Sequence, residues 1–468
     1  MLEGLEVSEL LISEVKLDNL NIRLDSEYFK KEYLNFFKSV PNLSPLSTFV
    51  AEGYRVIYEN TNVVSADVGV ANDYPIFLQA TDLATPFIKT DDFYYVHEKD
   101  WLRYPKGRIK AGELLIEVKG KIDKVSIVPN DFPKKALVTG SIYKLSVNEK
   151  INKHYLLTYL ICKYGSAFKD RYKTNLLISF VSKDDLYRIP VPTFSFKFES
   201  QIEIIFNKIF NFRKQSLSTY SQAESLLLET LGMTNFAPRS ESINIKSFKD
   251  SFASSGRMDA EYYQPKFEAL LKLLQRDGLT IGDMAVVRKE RFKPNLEGNF
   301  EYIEIGGLNG DGTVSAETTL HIAAPSRASQ LVRNGDIVTS TVRPIRRLTG
   351  LIAPEHEASV CSSGFVVLNP QHIAAEVLLV FLRIPLICEL LDLQTSATMY
   401  PAISEKDLLA IPIHKIKPSI QTQIAELVQQ SFKLKIESER LLEVAKSAVE
   451  VAIEQDEAAG MAYLRGNS

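Results

Sequence analysis

Glu117-Val118-Lys119 has the carboxylate-x-lysine spacing with which metal-dependent nucleases hold Mg²⁺ and position the attacking water. No Pro-Asp pair precedes it to complete such a site. The signatures of other chemistries are missing from the sequence: there is no Asn-Pro-Pro-Tyr or Asp-Pro-Pro-Tyr of an amino-methyltransferase, no GxxxxGK[ST] phosphate loop and no HExxH. His97, His154, His321, His356, His372 and His414 are scattered, without the spacing of metal ligands. The glycine cluster from Gly306 to Gly312 is only loosely a phosphate cradle; Asn309-Gly310 and Asp311-Gly312 read better as tight turns that need positive φ. Cys162, Cys361 and Cys388 are too far apart for a CxxC element and read as reduced, structural thiols.

Binding chemistry is better represented than catalysis. Nucleic acid is held by cations on phosphates and by forked donors or amides on base edges. One loop candidate is Lys119, Lys121 and Lys124; another is Arg343, Arg346 and Arg347. Further cations lie among aromatics: Lys106, Arg108 and Lys110 follow Tyr104, and Lys169, Arg171 and Lys173 surround Tyr172. Arg288, Arg291, Arg327 and Arg333 form a comparable set later in the chain. Lysine suits phosphate as a point charge, whereas arginine can also read guanine through two parallel bonds. With a formal net charge of -3 and a pI near 6.2, such a surface must be a local patch.

The elements that position these residues come twice. Ser182-Lys183-Asp184-Asp185-Leu186, then Ile189-Pro190-Val191-Pro192 and Gln201-Ile202, are matched 222 positions later by Ser404-Glu405-Lys406-Asp407-Leu408, Ile411-Pro412-Ile413 and Gln423-Ile424. Upstream, Gly112-Glu113-Leu114-Leu115 pairs with Gly335-Asp336-Ile337-Val338, and Arg23-Leu24-Asp25-Ser26-Glu27-Tyr28 with Arg257-Met258-Asp259-Ala260-Glu261-Tyr262. The offset drifts from 234 through 223 to 222, so insertions fall between the Arg-x-Asp motif and the Gly-acid turn. A duplicated frame with divergent inserts suggests two versions of one binding task. Both cationic loops follow the strand after the Gly-acid turn. In the second repeat Ser340-Thr341-Val342 replaces Glu117-Val118-Lys119, so the nuclease-like pair is not duplicated.

Short β-branched segments bounded by turn residues predict strands at Tyr74–Leu78, Glu113–Val118, Lys124–Val128 and Ser141–Val147. Their counterparts are Tyr302–Ile305, Asp336–Ser340, Thr349–Ala353 and Gly364–Leu368. A helix follows each set, over Lys153–Phe168 and Ala374–Leu391, so each half is expected to be α+β. The Tyr-rich entries Asp25–Tyr33 and Asp259–Phe267 read as packing elements. From Glu199 to Thr230 there is no Gly or Pro, and Gly232 stands at a C-cap position, which predicts one long helix. Its Ile202, Ile205, Ile209, Phe212, Ser216, Thr219, Ala223 and Leu226 alternate steps of three and four; Ile424, Leu427, Ser431, Leu434, Ser438, Leu441, Ala445 and Ala448 repeat the seam. Antiparallel pairing of two rods of about 50 Å would bury both stripes and act as a caliper between the two heads. Off-seam Ile204, Phe206, Phe210, Leu217, Leu227 and Leu228 either complete the core or offer a dock. The expected organisation is 1–192 and 248–414 as globular domains, with 193–247 and 415–468 as long helices plus linker. The acidic start, with Glu3, Glu6 and Glu9, is unlike a targeting signal, and no run is apolar enough to span a bilayer, which points to the cytoplasm.

The doubled Ser-x-x-Asp-Leu, Ile-Pro-[Val/Ile] and helix-opening Gln, with the Gly-acid turn upstream, resembles the specificity subunits of type I restriction-modification systems. The resemblance covers nearly the whole chain. That family usually has Leu-Pro-Pro-Leu before the helix, where this chain has Val191-Pro192-Thr193-Phe194 and Ile413-His414-Lys415-Ile416. The resemblance implies two target recognition domains on a helical ruler, each reading half of an asymmetric split site in double-stranded DNA. It also implies two methyltransferase subunits as partners, which bring S-adenosylmethionine, a restriction subunit that can join them, and no cofactor or catalysis in this chain. A protein-interaction scaffold built on a coiled-coil rod is the alternative from the residues alone.

Overall fold

A computed structural model describes residues 9–468 other than 18, 20–21, 41, 57–60, 66–68, 71, 91–92, 134, 175–176, 237–242, 296 and 396–400. The chain divides into two units, Met1–Phe210 with Ser438–Ser468, and Asn211–Glu437. This differs from the four-part division expected from sequence, because the long helices form no domain of their own: each contributes one part to each unit.

The repeat is a repeat of folds. In the first unit an antiparallel sheet has the order Val50–Tyr54, Ile142–Val147, Leu114–Glu117, Val125–Ile127. In the second unit the order is Ala285–Val287, Phe365–Pro370, Ile337–Ser340, Thr349–Leu351. Register agrees residue for residue: Leu114 faces Leu145 and Glu117 faces Ile142, as Ile337 faces Leu368 and Ser340 faces Phe365. A mixed sheet accompanies each, built on a parallel pair, Ile76–Leu78 with Ala136–Val138 and Asn299–Ile303 with Val360–Ser362. Its outer strands attach differently in the two units, where the inserts diverge. The central strands are covered on both faces, and Leu114, Leu115 and Ile116 are fully buried. Burial of a side chain of this size stabilises by about 1.5–3 kcal/mol.

The single helix expected after each sheet is two helices. Lys153–Ile161 is followed by Lys163–Tyr172, and Ala375–Arg383 by Pro385–Leu393. In the second repeat Pro385 forces Ile384 out of the helical region, to ψ 127°. In the first the joint is Cys162, and the turn is so sharp that a Cβ on Gly165 would lie 2.1 Å from the Tyr159 carbonyl oxygen. All three cysteines are buried and unpaired.

Entry to each half is fixed by the same side chains. The Arg23 guanidinium pairs with Asp25, lies over the Tyr28 ring at 4.9 Å and donates to the Arg171 carbonyl. Arg257 pairs with Asp259, lies over Tyr262 at 4.4 Å and donates to the carbonyl of Leu393, the position equivalent to Arg171. The Ser-x-x-Asp motif caps a short helix in both repeats, with Ser182 and Ser404 accepting from the Asp185 and Asp407 amides at 3.1 Å.

The first long helix is Phe196–Leu231, ended by Gly232 at φ +71°, and the second is Pro418–Glu454. Residues after Glu454 do not continue it: Asp456 caps a separate helix, Glu457–Asn467. Pairing is antiparallel within each unit. In the second, the Ser431 hydroxyl donates to the Ser216 carbonyl at 2.8 Å; in the first, the Ser438 hydroxyl donates to the Ile209 carbonyl at 3.1 Å. The small seam residues thus let the backbones approach. Ile202, Ile205, Ile209, Ile424 and Leu441 are buried, while Phe212, Leu427 and Leu434 are half-buried. Off the expected seam, Phe206, Leu227 and Val428 are fully buried, Phe210, Leu217 and Leu228 are half-buried, and Ile204 is exposed.

Candidate nucleic-acid interface

The Gly-acid turn opens each site. Gly112 and Gly335 have φ of +81° and +84°, which admits the turn without a Cβ penalty. The acid that follows points inward. Glu113 accepts from the Lys110 amide and from the ammonium of buried Lys144, both at 2.8 Å. Asp336 accepts from the Arg333 amide at 2.8 Å and takes both prongs of the Arg288 guanidinium, at 2.5 and 2.8 Å. Burying either carboxylate without its cation would be costly, so each pair anchors the turn.

From the turn a central strand runs straight to the cationic loop. The frame around its exit is the same in both repeats. The Val118 amide donates to the Ser141 carbonyl, and its own carbonyl accepts from Val181; Thr341 does the same with Gly364 and Ile403. Next, Gly120 donates to Ser179 and Arg343 to Pro401, all within 2.9–3.0 Å. Beyond this frame the backbone enters left-handed conformations, at Gly120 (+116°) and Ile122 (+65°) in one loop, and at Arg343 (+49°) and Arg347 (+59°) in the other. A β-branched residue at positive φ is rare; buried Ile122 shows how packing holds it there.

The candidate cations divide into those presented and those consumed. Lys106, Lys119, Lys121, Arg291, Arg327 and Arg346 are exposed and, among the described residues, carry no ion pair. Lys110 is exposed beside Glu52, and Lys173 is half-buried beside Asp170. Lys124 donates to the Ala80 carbonyl. Arg343 is half-buried, and Arg347 donates to the Arg383 carbonyl at 2.7 Å. The Arg108 guanidinium lies over the Trp101 ring, 3.7 Å from its centroid. Four candidates turn out to be braces. Lys169 is buried, donates to the Asp123 carbonyl at 3.1 Å, and is pulled down to a pKa of about 8 by burial. Arg171 is buried, lies over Tyr28 at 4.3 Å and donates to its carbonyl. Arg288 serves Asp336, and Arg333 is held between Glu290 and Glu357 at 2.8 and 3.0 Å. Aromatic neighbours were the misleading signal: near Tyr172 they belong to the core.

Glu117 is buried, and its carboxyl is pushed up by that burial and by neighbouring Asp123. Among the described residues no group of three or more His, Cys, Asp or Glu could hold a metal ion. The glycine cluster forms a short turn, Ile305–Gly307, and a hairpin closed by Leu308 and Val314, with half-buried Asp311 at its tip. Sequence reading missed Arg383. Buried inside its helix, it donates to the carbonyls of Arg347 (2.8 Å), Thr349 (3.1 Å) and Gly310 and to the Tyr220 hydroxyl (3.0 Å). An arginine in an otherwise apolar helical run, Ala375–Arg383, was the available signal.

No protein-family model matches the sequence, and a search of curated proteins gives no match. Among solved structures the chain is similar to the S subunit of a type I restriction-modification system from M. genitalium, at TM-score 0.37 and 14% identity over 87% of this chain and 94% of that one. It is also similar to a chain from a study of complex assembly and conformational transition in the type I R-M system, at 0.27 and 15% over 92% and 99%. For the HsdS subunit from Thermoanaerobacter tengcongensis the values are 0.26 and 14% over 92% and 98%. Among the described residues no helix is long and apolar enough to cross a membrane.

Proposed function

We propose that this chain is the DNA-recognition subunit of a type I restriction-modification enzyme, choosing the sequence that its partners methylate or cut. One observation carries the reading: two units with the same hydrogen-bonded frame present cationic loops at the same place, with different side chains on them. A structural duplication has no need to keep a strained loop charged in both copies. Two related but unequal readers suit an asymmetric site in two parts. Lys119 and Lys121 serve the phosphates of one part, and Arg343 and Arg346 can fork onto guanine in the other. The antiparallel long helices act as the ruler. Two methyltransferase subunits bind the assembly and bring S-adenosylmethionine, a restriction subunit can join, and this chain performs no chemistry itself.

The test is the methylome of the host with and without this gene. Loss of modification at one bipartite site on deletion is the expected result; the same bases modified in both strains would end the proposal. A protein-interaction scaffold, the competing reading, would be indifferent to the loop cations in a mobility-shift assay run with the partner present.

A further inference from the structure

The hairpin that follows the first long strand of each mixed sheet lands on a long helix in both units, by different chemistry. In the first unit the hairpin pairs Leu83–Ala84 with Phe87–Ile88, and the Phe87 ring meets Phe210 edge to face, centroids 5.3 Å apart. In the second unit the tip is Asn309-Gly310-Asp311-Gly312. The Asp311 side chain is 9% exposed and pairs with Lys435 of the second long helix at 2.9 Å and Arg213 of the first at 3.2 Å. The Thr313 hydroxyl and amide also donate to it, at 2.7 and 3.2 Å, and Lys435 reaches the same hydroxyl. A Cβ on Gly312, at φ +88°, would stand 3.2 Å from the Leu379 side chain and 3.4 Å from that of Arg383. Arg383 then joins this tip, through the Gly310 carbonyl, to the backbone of the arginine loop at Arg347 and Thr349.

We infer that Asp311 is a positioning residue: it pins the Arg343–Arg347 loop to one place along the paired helices, and so sets how strictly the spacing of the second half-site is read. The inference rests on the function proposed above. Its physical basis is directionality. An aromatic edge against an aromatic face can slide by a fraction of a helical turn and stay in contact. A carboxylate held between two cations cannot, because any displacement lengthens both of its ion pairs at a place where its own side chain is only 9% exposed. The second reader is therefore registered by charge and the first by packing.

The experiment uses the assembled complex of this chain with its methyltransferase subunits, S-adenosylmethionine and duplexes carrying both half-sites at the native spacing, read from the methylome, and at spacings one and two base pairs longer or shorter. For Asp311→Asn the preference for native over altered spacing should fall by about tenfold, one factor of ten per 1.4 kcal/mol of lost registration, while base preference within each half-site is kept. Arg213→Gln, which leaves Lys435 on the carboxylate, should relax spacing in the same direction by a smaller factor and covers the case in which Asp311→Asn fails to assemble. Phe87→Leu should leave spacing preference unchanged. Either variant overturns the inference by retaining the parental preference, or by losing methylation in equal ratio at every spacing, as a merely structural role requires. If the parental complex methylates nothing in a sequence-specific way, it is the proposed function that has failed.

Discussion

Lys144→Met takes the cation from a carboxylate that stays inside. Glu113 and Lys144 are each 3% exposed and 2.8 Å apart. Without the ammonium, Glu113 keeps the Lys110 amide at 2.8 Å and the Ser146 hydroxyl at 3.2 Å, which leaves its charge unmatched. Breaking a buried pair in this way costs about 3–5 kcal/mol, a large share of the ~5–15 kcal/mol that holds a typical domain together. For a unit of this size a urea dependence near the top of the ~1–3 kcal/mol/M range applies, so the unfolding midpoint should fall by about 1–2 M. Trp101 is the sole tryptophan and lies in the first unit, stacked under Arg108, so its fluorescence follows that unit. Adding Glu113→Gln removes the buried charge and should restore most of the loss, because a neutral amide can still accept from Lys110. A midpoint shift below about 0.5 M, or a double variant as unstable as the single, would refute the reasoning.

Three further outcomes are expected. Arg346→Ala, at an exposed position without an ion pair, should lower DNA affinity of the assembled complex and reduce the salt slope by about 1, with stability within about 0.5 kcal/mol of the parent; an unchanged slope in mobility shifts would remove this loop from the interface. Four residues inserted into the first long helix after Ser216 add about 6 Å of rise, and the unread spacer in the methylome should lengthen by about one or two base pairs; a constant spacer would refute the ruler. His154 is buried against Phe206, and burial, with Lys153 adding to it, lowers its pKa to about 4 against the opposing pull of Glu203. The unfolded chain therefore takes a proton near pH 6.5 that the folded chain refuses until about pH 4, so stability should fall by up to about 3 kcal/mol across that window. His154→Gln should flatten the loss when urea midpoints are followed at pH 7 and 4.5.

What the sequence revealed, and what it hid, follows from the range of the interactions involved. The Arg-x-Asp-x-x-Tyr entry, the Ser-x-x-Asp cap and the glycine of the acid turn act within a few residues, so their spacing survives duplication and can be read directly. Element types were legible for the same reason, since a period of two or of three to four residues is a local property. The joint at Cys162 was not, because nothing near it breaks a helix; only the closeness of Gly165 to Tyr159 makes the turn possible, and that contact exists once both helices are folded. The division of the cations was hidden by distance along the chain. Arg288 and Asp336 are 48 residues apart, and Lys169 and Asp123 46 apart, so a charge destined for the core carries the same local pattern as one left for a ligand. The duplication supplies a partial remedy. Where the repeats exchange one solution for another, Lys144 for Arg288 on the turn acid or Phe87 for Asp311 on the hairpin, the exchange identifies a structural task that each unit had to solve. At the tips of the cationic loops no exchanged partner is found among the described residues: Lys121 and Arg346 are exposed in frames that agree bond for bond, which is the pattern expected where selection acts on something outside the fold.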